Sequence, residues 1–398
     1  MSDTLTLAEL AFLQSERGEK ALHALAGADL SEQNTLALVM QLRQTLEPSE
    51  AAAALTMARL RQRAVAKYGE IAPRLFFTPS ALEQASDPLV RAYRAQFAAH
   101  QRVLDVCCGI GTDTIALAQV ADAVMGLDID PVRIEIARHN ARVYDATAQF
   151  SVADVLQGIP DSYDMIFYDP ARRDEAGKRI YDVDQYVPPL SLIENWQARQ
   201  IVVKLSPGVD REQLGPYGSA VEFISVNGDL KEAVLWRGAD WQGTQATLLT
   251  EEATYHFSRE SEEPDVPLQE PAGYLVEPDP AILRAGLVRD LAAHLGGALL
   301  DETIAYMTTL ALPQSPWVRA WEIEDWMPYN LKKLRAYLRE RDVGRITVKK
   351  RGSPVTPEQL TASLKLKKGH NARTLVLTRL QNNPIVIICA EQPTRLYI

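Results

Sequence analysis

Four short apolar runs in this chain each close on an aspartate, and that repeated arrangement limits the possible folds more than any other feature. The runs are Val103-Leu104-Asp105, Gly126-Leu127-Asp128, Ser151-Val152-Ala153-Asp154 and Ile166-Phe167-Tyr168-Asp169. Amphipathic stretches with helical spacing lie between the first three, from Thr112 to Gln119 and from Pro131 to Val143. Strands that alternate with helices are the sequence form of a parallel α/β sheet. Acids at successive strand ends then line one rim of the sheet, the place where such folds bind ligands.

The first of these turns is the most informative. After Asp105 the chain reads Val-Cys-Cys-Gly109-Ile-Gly111-Thr112-Asp113-Thr114. Glycine lets the backbone take positive φ and approach a ligand closely. The helix that follows offers unpaired N–H groups and a positive dipole end, suited to a carboxylate. A dinucleotide fingerprint would place a third glycine where Thr114 stands, so that reading is disfavoured. Asp128 can accept from both hydroxyls of a ribose, and Asp154 from an exocyclic amino group.

Further strands are expected near Gln200 to Lys204, Val221 to Val226 and Leu230 to Arg237. The last two flank Asn227-Gly228-Asp229, a hairpin signal, so the parallel sheet should end in an antiparallel pair. Residues 1–74 read as helices: Thr4 to Ala26, Ser31 to Leu42, and Pro48 through Lys67. Either they touch substrate or they are a plain packing unit. Residues 251–272 are acidic and Pro-bearing, the composition of a linker. A compact α/β segment is expected over 273–328, followed by strands at Arg345 to Lys349, Thr374 to Leu380 and Pro384 to Cys389 in residues 329–398.

The formal charge of the 398 residues is −10, but it is uneven. From Tyr329 onward there are fifteen Lys/Arg against four Asp/Glu, which leaves −21 on the rest. Such asymmetry suits an anionic partner at one end, or a solvated basic surface. The N-terminus lacks the form of a secretory signal and no run has the length of a membrane span, so a cytoplasmic protein without membrane partner is expected. Three cysteines without CxxC or Cys/His grouping point to neither disulfides nor a metal site.

Taken in order, these motifs resemble the class I S-adenosylmethionine-dependent methyltransferases over about residues 75–240, within a domain expected to span 75–250. The resemblance implies a Rossmann-like seven-stranded sheet with S-adenosylmethionine as cofactor. It implies a cofactor set of Phe76, Thr78, Asp105, Gly109, Gly111, Asp113, Asp128, Ile129, Asp154 and Val155. Phe76 and Thr78 enter because Leu75-Phe76-Phe77-Thr78-Pro79 resembles the segment that covers the methionine part of the cofactor in RNA- and cap-modifying relatives. Strand four lines the acceptor site in this family, where amino-group methyltransferases carry Asp/Asn-Pro-Pro-aromatic. Here the chain has Asp169-Pro170-Ala171-Arg172-Arg173, a departure that weakens the case for simple base-amine methylation.

Asp169 can still hold or deprotonate an acceptor. Arg172 and Arg173 can clamp an anion or stack on a base, or pair on the surface with Asp174 and Glu175. Tyr181 and Tyr186 lie in a stretch read as a loop over the site and offer a replacement ring. Lys204 ends strand five on the same rim. Cys107 and Cys108 sit in the cofactor turn, where packing is favoured over a nucleophilic role.

The whole layout resembles a bacterial family of uncharacterised methyltransferases with an N-terminal helical part, a ferredoxin-like segment and a small α+β THUMP-like domain. Lys349, Lys350, Arg351, Lys367 and Lys368 carry the tail's part of that likeness. THUMP domains deliver RNA to modifying enzymes, so tRNA or rRNA is the implied partner and a base nitrogen the expected acceptor. A methyltransferase of anionic small molecules or nucleotides, or a non-catalytic RNA-binding protein on the same scaffold, are the rival readings.

Overall fold

A computed structural model of the protein describes residues 5–160, 163–172, 178, 180–218 and 220–394. The chain divides into two compact units, residues 1–221 with 231–242, and residues 222–230 with 243–398.

The first unit opens with four helices: α1 (Leu7–Leu13), α2 (Glu16–Leu25), α3 (Thr35–Leu42) and α4 (Pro48–Tyr68). The single helix expected over Thr4 to Ala26 is two, because the Ser15 hydroxyl accepts from the Gly18 N–H and starts α2 afresh. Two short helices follow, α5 (Pro79–Gln84) and α6 (Pro88–Ala95), each with proline at its first turn behind a side-chain cap, Thr78 and Asp87. The helices do not form a body apart from the sheet. Leu10, Leu13 and Leu55 share one core with Phe76, Ile110 and Ile136.

Five strands then alternate with helices: β1 (Arg102–Val106), α7 (Thr112–Leu117), β2 (Ala123–Asp128), α8 (Pro131–Val143), β3 (Gln149–Val152), β4 (Met165–Tyr168) and β5 (Gln200–Leu205). The next two are β6 (Ala220–Val226) and β7 (Asp229–Arg237). Asn227 and Gly228 between them both take positive φ, as a two-residue hairpin turn requires. In this unit the strand order is β3-β2-β1-β4-β5-β7, parallel except for β7, which runs antiparallel to β5. Register sets Val106 against both Leu127 and Tyr168, and Asp128 against Val152. The loops after β1, β2, β3 and β4 therefore open at one rim.

In the second unit β8 (Gly243–Leu249) pairs antiparallel with β9 (Thr254–Ser258). The expected linker over 251–272 thus contains a strand. Alternating Tyr255, His256 and Phe257 supply its pattern, which the surrounding acids and prolines obscure. Beyond it come β10 (Tyr274–Pro278), α9 (Pro280–Ala285), α10 (Val288–His294), β11 (Ala298–Asp301), β12 (Ile304–Thr309), β13 (Val318–Pro328), α11 (Leu331–Glu340), β14 (Val343–Lys350), α12 (Pro357–Leu364), β15 (Asn371–Leu380) and β16 (Asn383–Cys389). A seven-stranded sheet joins them in the order β11-β12-β10-β13-β16-β15-β14. The long β13 pairs with β10 along its first half and β16 along its second, so residues 273–328 and 329–398 share one sheet rather than forming two bodies. Leu334, Leu338, Leu360 and Leu364 of α11 and α12 cover it, packed on Leu375, Leu377, Val386 and Ile388.

Asn140 of α8 links the two layers of the first unit. Its side chain accepts from the Phe76 N–H at 2.9 Å and donates to the carbonyls of Phe76 and Ile110 at 3.0 and 3.2 Å. It is 3% exposed, so leucine there would strand three buried polar groups. Urea denaturation of Asn140→Leu should show a loss of about 2 kcal/mol or more, with weaker ligand binding at the loop that carries Ile110.

Candidate functional site

The rim opens into a cavity of about 470 Å³, within the range of small-molecule sites. The turn after β1 forms its floor. Cys107 (φ 63°), Gly109 (φ 56°) and Gly111 (φ 79°) all adopt left-handed backbone there. At Gly109 a Cβ would meet nothing, so conformation alone demands glycine. At Gly111 a Cβ would also sit 2.9 Å from the Cβ of Ala137, because α8 crosses close behind the turn.

Asp128 faces this turn from the end of β2. Its Oδ2 accepts from the Gly109 N–H and its Oδ1 from the Asp130 N–H, both at 2.9 Å. The two bonds fix the plane of the carboxylate while leaving each oxygen capacity for another donor, the arrangement a ribose diol needs. Burial raises its pKa, and the two N–H groups and Arg133 act against that. Asp154 lines the next part of the cavity, with Oδ1 accepting from the Leu156 N–H at 3.0 Å. Ile129, exposed, and Val155 and Leu156 add apolar surface for a flat base. Among the described residues no group of three metal-ligating side chains occurs. The donor set, the glycine turn and the apolar wall fit an adenosyl group.

At the other end lies Asp169. The Lys204 ammonium donates to its Oδ2 at 2.7 Å and reaches the Gln84 carbonyl at 3.4 Å. Arg172 stands 3.8 Å from Oδ1. Lys204 is buried at 3% exposed, whereas Asp169 opens into the cavity. The segment after Asp169 is pinned by reciprocal backbone bonds between Ala171 and Val187, and the Tyr168 hydroxyl donates to the Pro188 carbonyl. Tyr186, Val187, Pro188 and Pro189 thereby become a wall.

Not every expected residue reaches the cavity. Asp105 points behind the turn, where the Thr114 hydroxyl donates to its Oδ2 while its Oδ1 has no partner. Burial drives its pKa well above the carboxylate range. Gly111 shapes the turn from behind. Phe76 is core, its ring against His139 and under Arg61. Thr78 caps α5 through its hydroxyl. In their place Ser80, Ala81, Gln84 and Ala85 of α5 and the residue after it form the wall. The Thr-Pro pair was the signal for that helix. Tyr181 is 63% exposed and outside the cavity, while Tyr186 is inside. Arg173, with Asp174 and Glu175, lies outside the described residues.

A group that sequence reasoning missed sits beneath the site. Arg94 of α6 is 2% exposed and pairs with both Asp113 and Glu232. Nothing in its local sequence marks it, because its acids lie 19 and 138 residues away.

In the second unit, Lys349 pairs with Glu277 and stands 4.3 Å from the Trp321 ring centre. Arg351 is 3.7 Å from the same acid and lies over Tyr306. These two expected phosphate ligands are engaged within the fold. Lys350, Lys367 and Lys368 are exposed.

Three domain families match the chain: a methyltransferase domain over residues 98–193, a THUMP domain-like family over 318–391 and a domain of unknown function over 6–64. An uncharacterised S-adenosylmethionine-dependent methyltransferase of Mycobacterium tuberculosis is 36% identical over 333 residues, 81% of this chain and 90% of that protein. A Halalkalibacterium halodurans protein named as an uncharacterised RNA methyltransferase is 40% identical over 91 residues, 21% of this chain and 20% of its own. The fold is shared with a crystal structure from Porphyromonas gingivalis, provisionally named a methyltransferase. That match has a TM-score of 0.74 at 22% identity and covers 91% of this chain and 99% of the other.

Two measurements probe this geometry. Calorimetry with S-adenosylhomocysteine should show Asp128→Ala weakened at least about hundredfold, from the loss of two charge-assisted bonds. The second concerns the thiols. Burial raises the pKa of both Cys107 and Cys108 well above the ordinary value, and the nearby acids add to it. Their thiolate fraction at pH 7.5 is therefore below that of a free cysteine. Iodoacetamide alkylation of the folded protein should be slow at pH 7.5 and still rising beyond pH 9.

Proposed function

Because the chain belongs to the S-adenosylmethionine-dependent methyltransferases, we propose that it methylates RNA, with a base nitrogen as acceptor held at Asp169. The observation that carries the acceptor assignment is the placement of Asp169. It opens into the same cavity as Asp128 and Gly109, at the end away from Asp154.

Bound S-adenosylmethionine would supply an electrophilic methyl group, its sulfonium sulfur leaving as the neutral thioether S-adenosylhomocysteine. Asp128 orients the ribose hydroxyls, and Asp154 with Ile129 and Val155 receives the base. Asp169 accepts a hydrogen bond from the acceptor's N–H and takes its proton as the nitrogen bonds to the methyl carbon. Lys204 and Arg172 hold the carboxylate in place, so an acceptor meets a fixed oxygen. The wall of Tyr186 to Pro189 excludes water from the reacting end and offers the Tyr186 ring beside the acceptor.

Three things support RNA as the acceptor. The 318–391 region matches a THUMP domain-like family, Lys350, Lys367 and Lys368 are exposed there, and several relatives over shorter stretches are named as RNA methyltransferases. Exposed lysines give phosphate affinity without reading sequence.

Radiolabelled S-adenosylmethionine incubated with total RNA from a strain lacking the gene should label RNA. Asp169→Asn should lower kcat by roughly 10²- to 10⁴-fold while leaving S-adenosylhomocysteine affinity unchanged. Label absent from RNA with cofactor binding intact would refute the acceptor. In filter binding, the Lys367→Ala/Lys368→Ala double variant should bind RNA more weakly and lower the salt slope by about 1.5 to 2.

A further inference from the structure

A second cavity, of about 710 Å³, lies in the first unit between the N-terminal helices and α8, away from the residues that line the cofactor site. Its apolar walls include Leu22, Leu25, Ala58, Val65 and Val143. Its polar lining includes Arg61, Arg74, Gln62 and His139, and one carboxylate, Glu19. Arg61 of α4 donates through Nε to the Leu75 carbonyl at 2.8 Å and lies 4.9 Å from the Phe76 ring centre. Among the described residues no carboxylate comes within ion-pair distance of its guanidinium, and its two terminal nitrogens have no hydrogen-bond partner.

Two arginines, Arg61 and Arg74, stand on the lining against one carboxylate, Glu19. Arg61 loses hydration there, and burial depresses its pKa to about 10, with Glu19 of the same lining acting the other way without reaching ion-pair distance. His139 donates through Nε2 to the Arg74 carbonyl, and burial lowers its pKa, so it adds no second positive charge at neutral pH. Glu19 sits at the exposed edge. A half-buried guanidinium without a counter-ion is costly for a protein to keep, and an anion placed against it removes that cost. The planar fork suits a carboxylate, phosphate or sulfonate, and the apolar walls require that the anion carry a hydrophobic body.

We propose that this cavity is a binding site for a small organic anion with a flat apolar body, held by Arg61. The site is separate from the methyl-transfer cavity, so its failure would leave the proposed function untouched.

Two dyes with one ring system test it: 1-anilinonaphthalene-8-sulfonate, an anion, and N-phenyl-1-naphthylamine, its neutral counterpart. Fluorescence titration would use the full chain saturated with S-adenosylhomocysteine, which keeps the first cavity filled. The intact protein should bind one sulfonate at least about tenfold more tightly than the neutral dye. Arg61→Gln should abolish that preference by weakening the sulfonate alone. Val65, 48% exposed, lies on the lining, so Val65→Trp adds bulk to the cavity and should weaken both dyes. Equal affinity of the intact protein for the two dyes would overturn the proposal. So would a sulfonate affinity unmoved by Val65→Trp, or one unmoved by Arg61→Gln. Should Arg61→Gln fail to fold, the dye comparison and Val65→Trp still decide.

Discussion

The candidate site rests on one buried guanidinium. Arg94 has almost no contact with water, yet burial does not neutralise it, because Glu232 and Asp113 hold its proton more strongly than burial expels it. In return Asp113 stays below the ordinary carboxylate range, burial being outweighed chiefly by Arg94 and Lys204. The ion cluster ties α6, the first turn of α7 and strand β7, with Ser86 and the Phe167 ring completing the shell. Losing one member of such a cluster leaves a bare charge in a dry place, at a cost of about 3 to 5 kcal/mol. The turn that carries Gly109 and Gly111 leads directly into Asp113, so its geometry depends on that cluster.

A second consequence lies at Asp169. Lys204 is buried and strand-bound, so the ion pair costs little side-chain entropy beyond what the fold has already taken. One carboxylate oxygen is committed to Lys204, and the other faces Arg172 at longer range with the cavity in front. The same lysine helps to lower the pKa of Asp113. Asp169 and the Arg94 cluster are thus electrostatically one system, although their residues are scattered between positions 94 and 232.

The second unit shows how charge in a sequence and charge on a surface can differ. Lys349 and Arg351 are part of the densest basic run, but Glu277 of β10 draws both inward, against Trp321 and Tyr306. Lys350, between them, points outward by strand alternation and stays exposed. Net charge therefore overstates the exposed basic surface. Only residues whose side of the strand faces water contribute to it.

Much of the α/β core was legible in the residues themselves. The four Asp-ended strands, the glycine turn and the Asn-Gly hairpin obey local rules of period and backbone conformation, and nothing distant need be known to read them. Asp128, Asp154 and Asp169 followed from those rules, since a strand's end position decides which rim its side chain reaches. Distant partners decided the rest. Arg94 finds its acids only once α6, α7 and β7 are packed together. Asp105 turned inward because Thr114, nine residues on, offered its hydroxyl. Phe76 became core because Asn140 claimed its backbone from 64 residues away, which left α5 to wall the cavity. The single sheet across residues 273–389 depended on β13 having two neighbours, a pairing that no local pattern encodes. Short-range chemistry fixed which elements form. Long-range pairing of charges, amides and strand edges decided which side chains face the ligand.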